Sequence, residues 1–159
     1  MGRILVAALL AASVVVPAAA RDPVGASGFV ASLYVKKTRN RNFTYLSPRV
    51  LTAELYALAQ NGNAMPDFDP LCQCRSNDGL SAQIISAAGS DRQAMVQLLL
   101  RFDADKPAPP QRVTLILTRA PLAGWKVADI RSARIPSLKA WLQRHQGGGA
   151  NSGRIARTQ

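Results

Sequence analysis

From Ala82 to Ile130 the apolar residues recur at every second position, in four short runs with no helical segment between them. The runs are "AQIISAAG", "QAMVQLLLRFD", "RVTLILTR" and "GWKVADI". A period of two places alternate side chains on opposite faces of a strand. Val96, Leu98, Leu100 and Phe102 then share one face, and Val113, Leu115 and Leu117 share one face of the next run. Parallel neighbours need a long crossover, usually a helix, whereas antiparallel ones are joined by short turns. The connections here are short, so the four runs predict an antiparallel meander. On the last run the alternation places Trp125, Val127 and Asp129 together.

Before the strands the period is helical. Phe29, Val30, Leu33, Tyr34 and Lys37 lie on one face of a first helix, with Ser27 standing where a cap would. In "LSPRVLTAELYALAQNGN", Ser47 reads as an N-cap, Pro48 as the first turn, and Leu51, Leu55, Leu58 and Ala59 as the buried stripe. After the strands, Pro136 and Ser137 open a short helix with Leu138, Trp141 and Leu142 inward. The expected class is therefore α+β: a curved antiparallel sheet of four strands packed on an N-terminal helical pair, with a short C-terminal helix.

The ends are different in kind. Arg3, the apolar run Ile4–Val16, Pro17 and the small residues Ala18–Ala20 have the form of a secretory signal peptide. The run is about 13 residues, against the roughly 20 that a spanning helix needs. The expected organisation is a signal peptide over residues 1–20, one domain over 21–145, and a glycine-rich basic tail over 146–159 without periodicity. The mature chain is expected in the periplasm or outside the cell, with no transmembrane segment.

The net charge is +11, and Arg3 is the only charged residue of the leader, so nearly all of it stays with the mature chain. That charge favours anionic surfaces and acidic partners. Export, and the lack of a basic stretch interleaved with aromatics, argue against nucleic acid. There is no phosphate-binding glycine loop, no dinucleotide fingerprint and no G-x-S-x-G.

"FVASLY" on the first helix, "DFDPLCQC" with "DGL" in the following loop, the strand "WKVADI" and the closing "SLKAWL" together resemble a bacterial envelope family catalogued as domain of unknown function 3828. The resemblance covers Val24 to Arg144. It implies a nuclear transport factor 2-like cone, a bent antiparallel sheet wrapped on helices, and an exported location. It implies no reaction. The basic tail after His145 departs from that pattern.

The chemistry-bearing residues gather in "DFDPLCQCRSNDG", Asp67 to Gly79, which holds both cysteines of the chain. In an extended segment the Cα atoms of Cys72 and Cys74 stand somewhat beyond 6 Å apart, near the upper limit for a disulfide. A bend at Pro70 brings them closer, and an oxidising compartment permits the bond. A structural disulfide, free thiols and a redox or metal role all stay open on the sequence. Structural zinc wants four nitrogen or sulfur ligands, and two cysteines with one distant histidine, His145, do not supply them. Asp67, Asp69, Asn77 and Asp78 lack EF-hand spacing. No metal and no cofactor is expected; the carboxylates read as turn-formers capping their own loop. Asp67, Phe68, Asp69, Arg75, Asp78 and Trp125 are the candidate binding residues, with Phe68, Leu71 and Arg75 displayed by the loop. Asp129, on an apolar strand face, is the one candidate catalytic base; a salt bridge with Arg131, Arg134 or Arg119, or a cap on backbone amides, is the structural reading of the same residue and the favoured one.

The leading expectation is an exported, non-catalytic binding module that takes an envelope protein, a glycan or a small ligand through the concave sheet face or the cysteine loop, with the oligomeric state open. The alternatives are a small cone-fold isomerase or hydratase using Asp129, and a thiol-based redox sensor.

Overall fold

The structure, a computed structural model, describes residues 22–40, 43–61, 65–102 and 109–146. The signal-peptide and tail expectations lie almost wholly outside these residues. Within them the order is α1 (Ala26–Arg39), α2 (Ala53–Asn61), β1 (Leu80–Gly89), β2 (Gln93–Phe102), β3 (Gln111–Ala120), β4 (Gly124–Ser132) and α3 (Leu138–His145). The strands form a curved, open sheet in the order β1-β2-β3-β4, antiparallel throughout. The class is α+β, as the alternating runs predict.

One face of the sheet is the core. Val96 and Leu98 of β2 pair across with Leu115 and Val113 of β3, Leu100 pairs with the half-buried Gln111, and all five of these apolar residues are buried, as is Leu117. Val30, Leu33 and Tyr34 of α1, Leu55 and Ala59 of α2, and Leu138 and Leu142 of α3 close over them. The opposite face carries Gln97, Leu99, Thr114, Ile116 and Thr118, partly exposed. The helices divide the sheet between them. α1 lies over β1 and β2, while α2 lies over β4 and against α3, so the expected N-terminal pair is split across the sheet. A Lys139–Glu54 ion pair of 2.7 Å ties α3 to α2.

Two bulges bend the strands. Ile85 is the additional residue in β1, between Ile84 and Ser86. In β4 the register shifts at Ala128, so Val127 pairs with Leu117, Asp129 with Ile116 and Ile130 with Leu115. One inserted residue changes which side chains continue a row. Ile130 therefore carries on the core row of Trp125 and Val127, and Asp129 stands opposite the outer-row residue Ile116. The expectation that Asp129 shares their face is corrected by that single residue.

Helix starts also differ from the sequence reading. α1 begins after Gly25, whose left-handed backbone (φ 79°) suits glycine, and no side chain caps it; Ser27 sits within the first turn. Ser47 does not open α2. Its carbonyl accepts from the Val50 and Leu51 N–H groups in a turn. Leu51 then forms a parallel bridge to Val127: Val127 N–H donates to the Val50 carbonyl at 2.8 Å and Thr52 N–H to the Val127 carbonyl at 2.9 Å. Thr52 Oγ1 accepts from Leu55 N–H at 3.3 Å and supplies the cap instead. Backbone pairing at the sheet edge has won over the local signal of Ser47 and Pro48. Ser137 does cap α3, accepting from Ala140 N–H at 3.1 Å. Trp141, expected inward, is half-buried and stacks on His145.

Candidate functional site

The loop between α2 and β1 is the polar centre of the molecule. Cys72 and Cys74 form a disulfide, with Cα atoms 5.1 Å apart. The separation is shorter than in an extended chain because Gln73 between them has a left-handed backbone (φ 57°). Asp69 shapes the turn that precedes it. Its N–H donates to the Cys74 carbonyl at 2.8 Å, its carbonyl accepts from Gln73 N–H at 2.7 Å, and its Oδ1 accepts from Leu71 N–H at 2.8 Å. Its other carboxylate oxygen is bound by Lys37 of α1. The carboxylate thus caps its own loop, as a turn-forming aspartate does.

The loop is fastened to two other parts of the chain. On the α1 side, Tyr34 OH donates to the Leu71 carbonyl at 2.6 Å, and Asn77 Nδ2 donates to the Lys37 carbonyl at 2.5 Å. On the β4 side, Ser132 Oγ donates to Gln73 Oε1 at 2.7 Å, and Arg134 Nη1 donates to the Gln73 carbonyl at 3.1 Å. Gln73 Nε2 donates to the Pro70 carbonyl at 2.6 Å. Gln73 is 3% exposed, so its side chain is a buried polar connector with each polar atom matched. Leu71 is fully buried, which corrects its expected display on the surface. Phe68 is half-buried under the Arg134 guanidinium, 3.7 Å from the ring centre. At the exposed rim Arg75 pairs with Asp67, and Ser76 Oγ donates to Asp78 Oδ2 at 2.8 Å.

Burial pushes the Tyr34 and Tyr45 hydroxyls well above the ordinary phenol range, and the Asp69 carboxylate adds to this. Both phenols therefore stay neutral. Tyr34 has a hydrogen-bond partner, whereas the buried Tyr45 hydroxyl has none among the described residues. The hydrogen bond and charge of Arg75 hold the Asp67 carboxyl below its usual range, with Arg134 contributing less.

The two sulfurs differ in access. Cys72 is fully buried and Cys74 partly exposed. The Asp69 and Cys74 carbonyl oxygens both lie 3.8 Å from Cys72 Sγ. Those are acceptors, and they oppose a thiolate there. The surroundings suit a closed bond that serves geometry.

The structure gathers Asp67, Phe68, Asp69, Arg75 and Asp78 in this loop and places the other two candidates elsewhere on β4. Trp125 is buried; its Nε1 donates to the Val24 carbonyl at 3.0 Å, and Arg119 lies 5.8 Å over its ring. Asp129 is 5% exposed and sits at the start of α3. Its Oδ1 accepts from Ile130 N–H at 2.9 Å and Lys139 N–H at 3.0 Å, and its Oδ2 from Arg131 Nε at 3.0 Å. A carboxylate at a helix N-terminus satisfies amides that the helix itself leaves open. Among the described residues no three histidine, cysteine or acidic side chains cluster as metal ligands. No described helix is long and apolar enough to cross a membrane.

Sequence reasoning missed Tyr34, Gln73, Ser132 and Arg134 as parts of this site. One signal was present: Lys37 falls on the apolar face of α1, and a lysine there calls for a buried acceptor, which Asp69 supplies.

Open space lies beside these packed groups. A groove of about 520 Å³ runs between α1 and the edge strand β1, lined by Ala31, Val35, Leu80, Ala82, Ile84 and Leu98 among others, and it is mostly apolar. A second hollow of about 460 Å³ lies at the end of the sheet beside Gln73. Comparison with family models, curated proteins and solved structures finds no match to this chain.

Proposed function

We propose that this chain is an exported, non-catalytic binding module that takes a small, largely apolar ligand in the groove between α1 and β1. The groove carries the reading: its volume is about 520 Å³. Ligand pockets typically measure about 300–1,000 Å³, with apolar walls and a few polar groups. Leu98 forms the floor from the core row, and Val35, 46% exposed, stands on its α1 wall. Tyr34 and Thr38 spend their hydroxyls on the Leu71 and Val35 carbonyls, so those two hydroxyls add little polarity. A glycan would want exposed aromatic platforms, which this lining lacks.

Export is supported by the leader-like residues 1–20 and by a closed disulfide, which an oxidising compartment favours. The helix–helix–meander–helix order and the two strand bulges support placing the chain with nuclear transport factor 2-like cones of the domain of unknown function 3828 type. The isomerase or hydratase alternative has no observation in its favour, because the Asp129 carboxylate is committed to three donors. The redox-sensor alternative has none either, because Cys72 is buried among acceptors.

The test uses N-phenyl-1-naphthylamine, a neutral probe that fluoresces in apolar sites. The mature protein should raise its emission with saturable, one-site binding. Val35→Glu, at an exposed position, should weaken binding at least tenfold without unfolding the chain. No saturable signal, or equal affinity in Val35→Glu, would sink the reading.

A further inference from the structure

The hollow beside the disulfide differs in character from the apolar groove. It lies between the start of β3 and the end of β4, and Gln73, Gln111, Arg112, Ser132 and Arg134 line it. Among the described residues it shares no lining residue with the groove, and its walls hold two arginines and no carboxylate. Among the described residues neither guanidinium is ion-paired to an acid. Asp67 feels the charge of Arg134, but it is itself engaged by Arg75 and does not line the hollow.

Arg134 is held before any ligand arrives. Its guanidinium is stacked on Phe68 and donates once, through Nη1, to the Gln73 carbonyl. Guanidinium carries five N–H donors in a rigid fork that matches planar or tetrahedral oxyanions. Arg112 is exposed on the β3 side of the same space. A fixed arginine and an exposed one around a hollow of this size, with no carboxylate among the described lining residues, are the makings of an anion clamp. We propose that this hollow binds the oxyanion group of a small ligand, a carboxylate, sulfate or phosphate, between Arg112 and Arg134.

The disulfide acquires a role on this view. Gln73 sits between the two cysteines in a left-handed backbone that a non-glycine residue rarely adopts. The bond closes that turn, and the turn aims the Gln73 carbonyl at Arg134. Cys72 and Cys74 are thus positioning residues for Arg134, which would contact the anion itself.

Side-chain Nε–H NMR of the arginines, at constant ionic strength set with chloride, reads the site directly. Inorganic phosphate and acetate are titrated separately into the mature protein. The Arg112 and Arg134 signals should shift together and saturate with one dissociation constant. Saturation with phosphate alone assigns a phosphoryl or sulfuryl group, and saturation with both shows that a carboxylate suffices. Arg112→Ala should weaken binding about tenfold or more. Arg134→Lys, which keeps the charge but loses the fork and the stack, should do likewise. Arg92→Ala, in the β1–β2 turn at the far end of β2, should change affinity less than twofold. Linear, unsaturated shifts with both anions, or an Arg92→Ala loss equal to that of Arg112→Ala, would reduce the effect to general charge attraction and overturn the site. Cys72→Ser/Cys74→Ser should weaken the anion several-fold while the remaining amide spectrum keeps its dispersion; unchanged affinity would overturn the positioning role. Neutral-probe binding in the α1–β1 groove is independent of every one of these outcomes.

Discussion

The core face of the sheet and the disulfide loop are equally buried at their centres, yet they are held by different forces. Leu98, Leu100, Val113 and Leu115 have only apolar neighbours to lose. Leu71, Cys72 and Gln73 are as well buried, and they are fixed by a covalent bond and by directed hydrogen bonds from Tyr34, Ser132 and Arg134. Burial of apolar surface is non-directional and tolerates repacking. A buried polar group is costly unless its partner stands in one place. The sheet can therefore vary in sequence while keeping its shape, whereas the loop depends on a handful of particular atoms. The open spaces proposed here as binding sites follow the same division: an apolar groove against the sheet, and a cationic hollow against the loop.

The largest expected effect breaks the sheet side of this contrast. Leu98→Ala or Leu115→Ala removes a fully buried side chain and should cost about 2–5 kcal/mol in urea denaturation. Arg101→Ala and Thr114→Ala, on the opposite face, should stay within about 0.5 kcal/mol. Equal losses on both faces would mean that the outer face is covered in the folded protein.

The same contrast governs what the sequence revealed. The rows of β2 and β3 were legible because burial follows a period of two and no local feature interrupts it. β4 was legible up to Val127 and then failed, because a bulge leaves no compositional mark at Ala128. The start of α2 failed for a related reason: Ser47 and Pro48 are sound local signals, but Val50 and Thr52 pair with the Val127 backbone some 75 residues on. Asp69 as a cap for its own loop was readable from turn chemistry. Gln73 was not, since nothing in "CQC" says that the glutamine turns inward to meet Ser132.

A medium-sized effect separates two tyrosines that look alike in sequence and in burial. Tyr34 and Tyr45 are each 4% exposed, but only Tyr34 has a hydrogen-bond partner among the described residues. Tyr34→Phe strands the buried Leu71 carbonyl and should cost about 1 kcal/mol or slightly more. Tyr45→Phe removes a buried hydroxyl that bonds to none of the described residues and should be neutral or mildly stabilising. Denaturation midpoints of the two variants test this directly. A loss in Tyr45→Phe matching that in Tyr34→Phe would show that the Tyr45 hydroxyl is bonded in solution.

The smallest effect lies where the loop's polar ties reach solvent. The Asp67 carboxyl is held below its usual range chiefly by the Arg75 hydrogen bond and charge, and only secondarily by Arg134. A lowered folded-state value means that the ionised form is favoured by folding. The contribution is thus fully present above the ordinary carboxylate range and is lost as the pH falls through the lowered folded value. Both partners are mostly exposed, the side chains being 77% and 67% accessible for Arg75 and Asp67, so solvent screens the pair and the global melting point should barely register it. The local titration should register it clearly. Carboxyl-carbon NMR of Asp67 should show a midpoint below that of an unpaired aspartate, and Arg75→Gln should return it toward the ordinary value. Arg134→Gln should move it less, because Arg134 is anchored on Phe68 and Gln73 and acts on Asp67 only through its charge. The reverse order would place the Asp67 partnership with the hollow's own arginine, and Asp67 would then compete with any anion bound there.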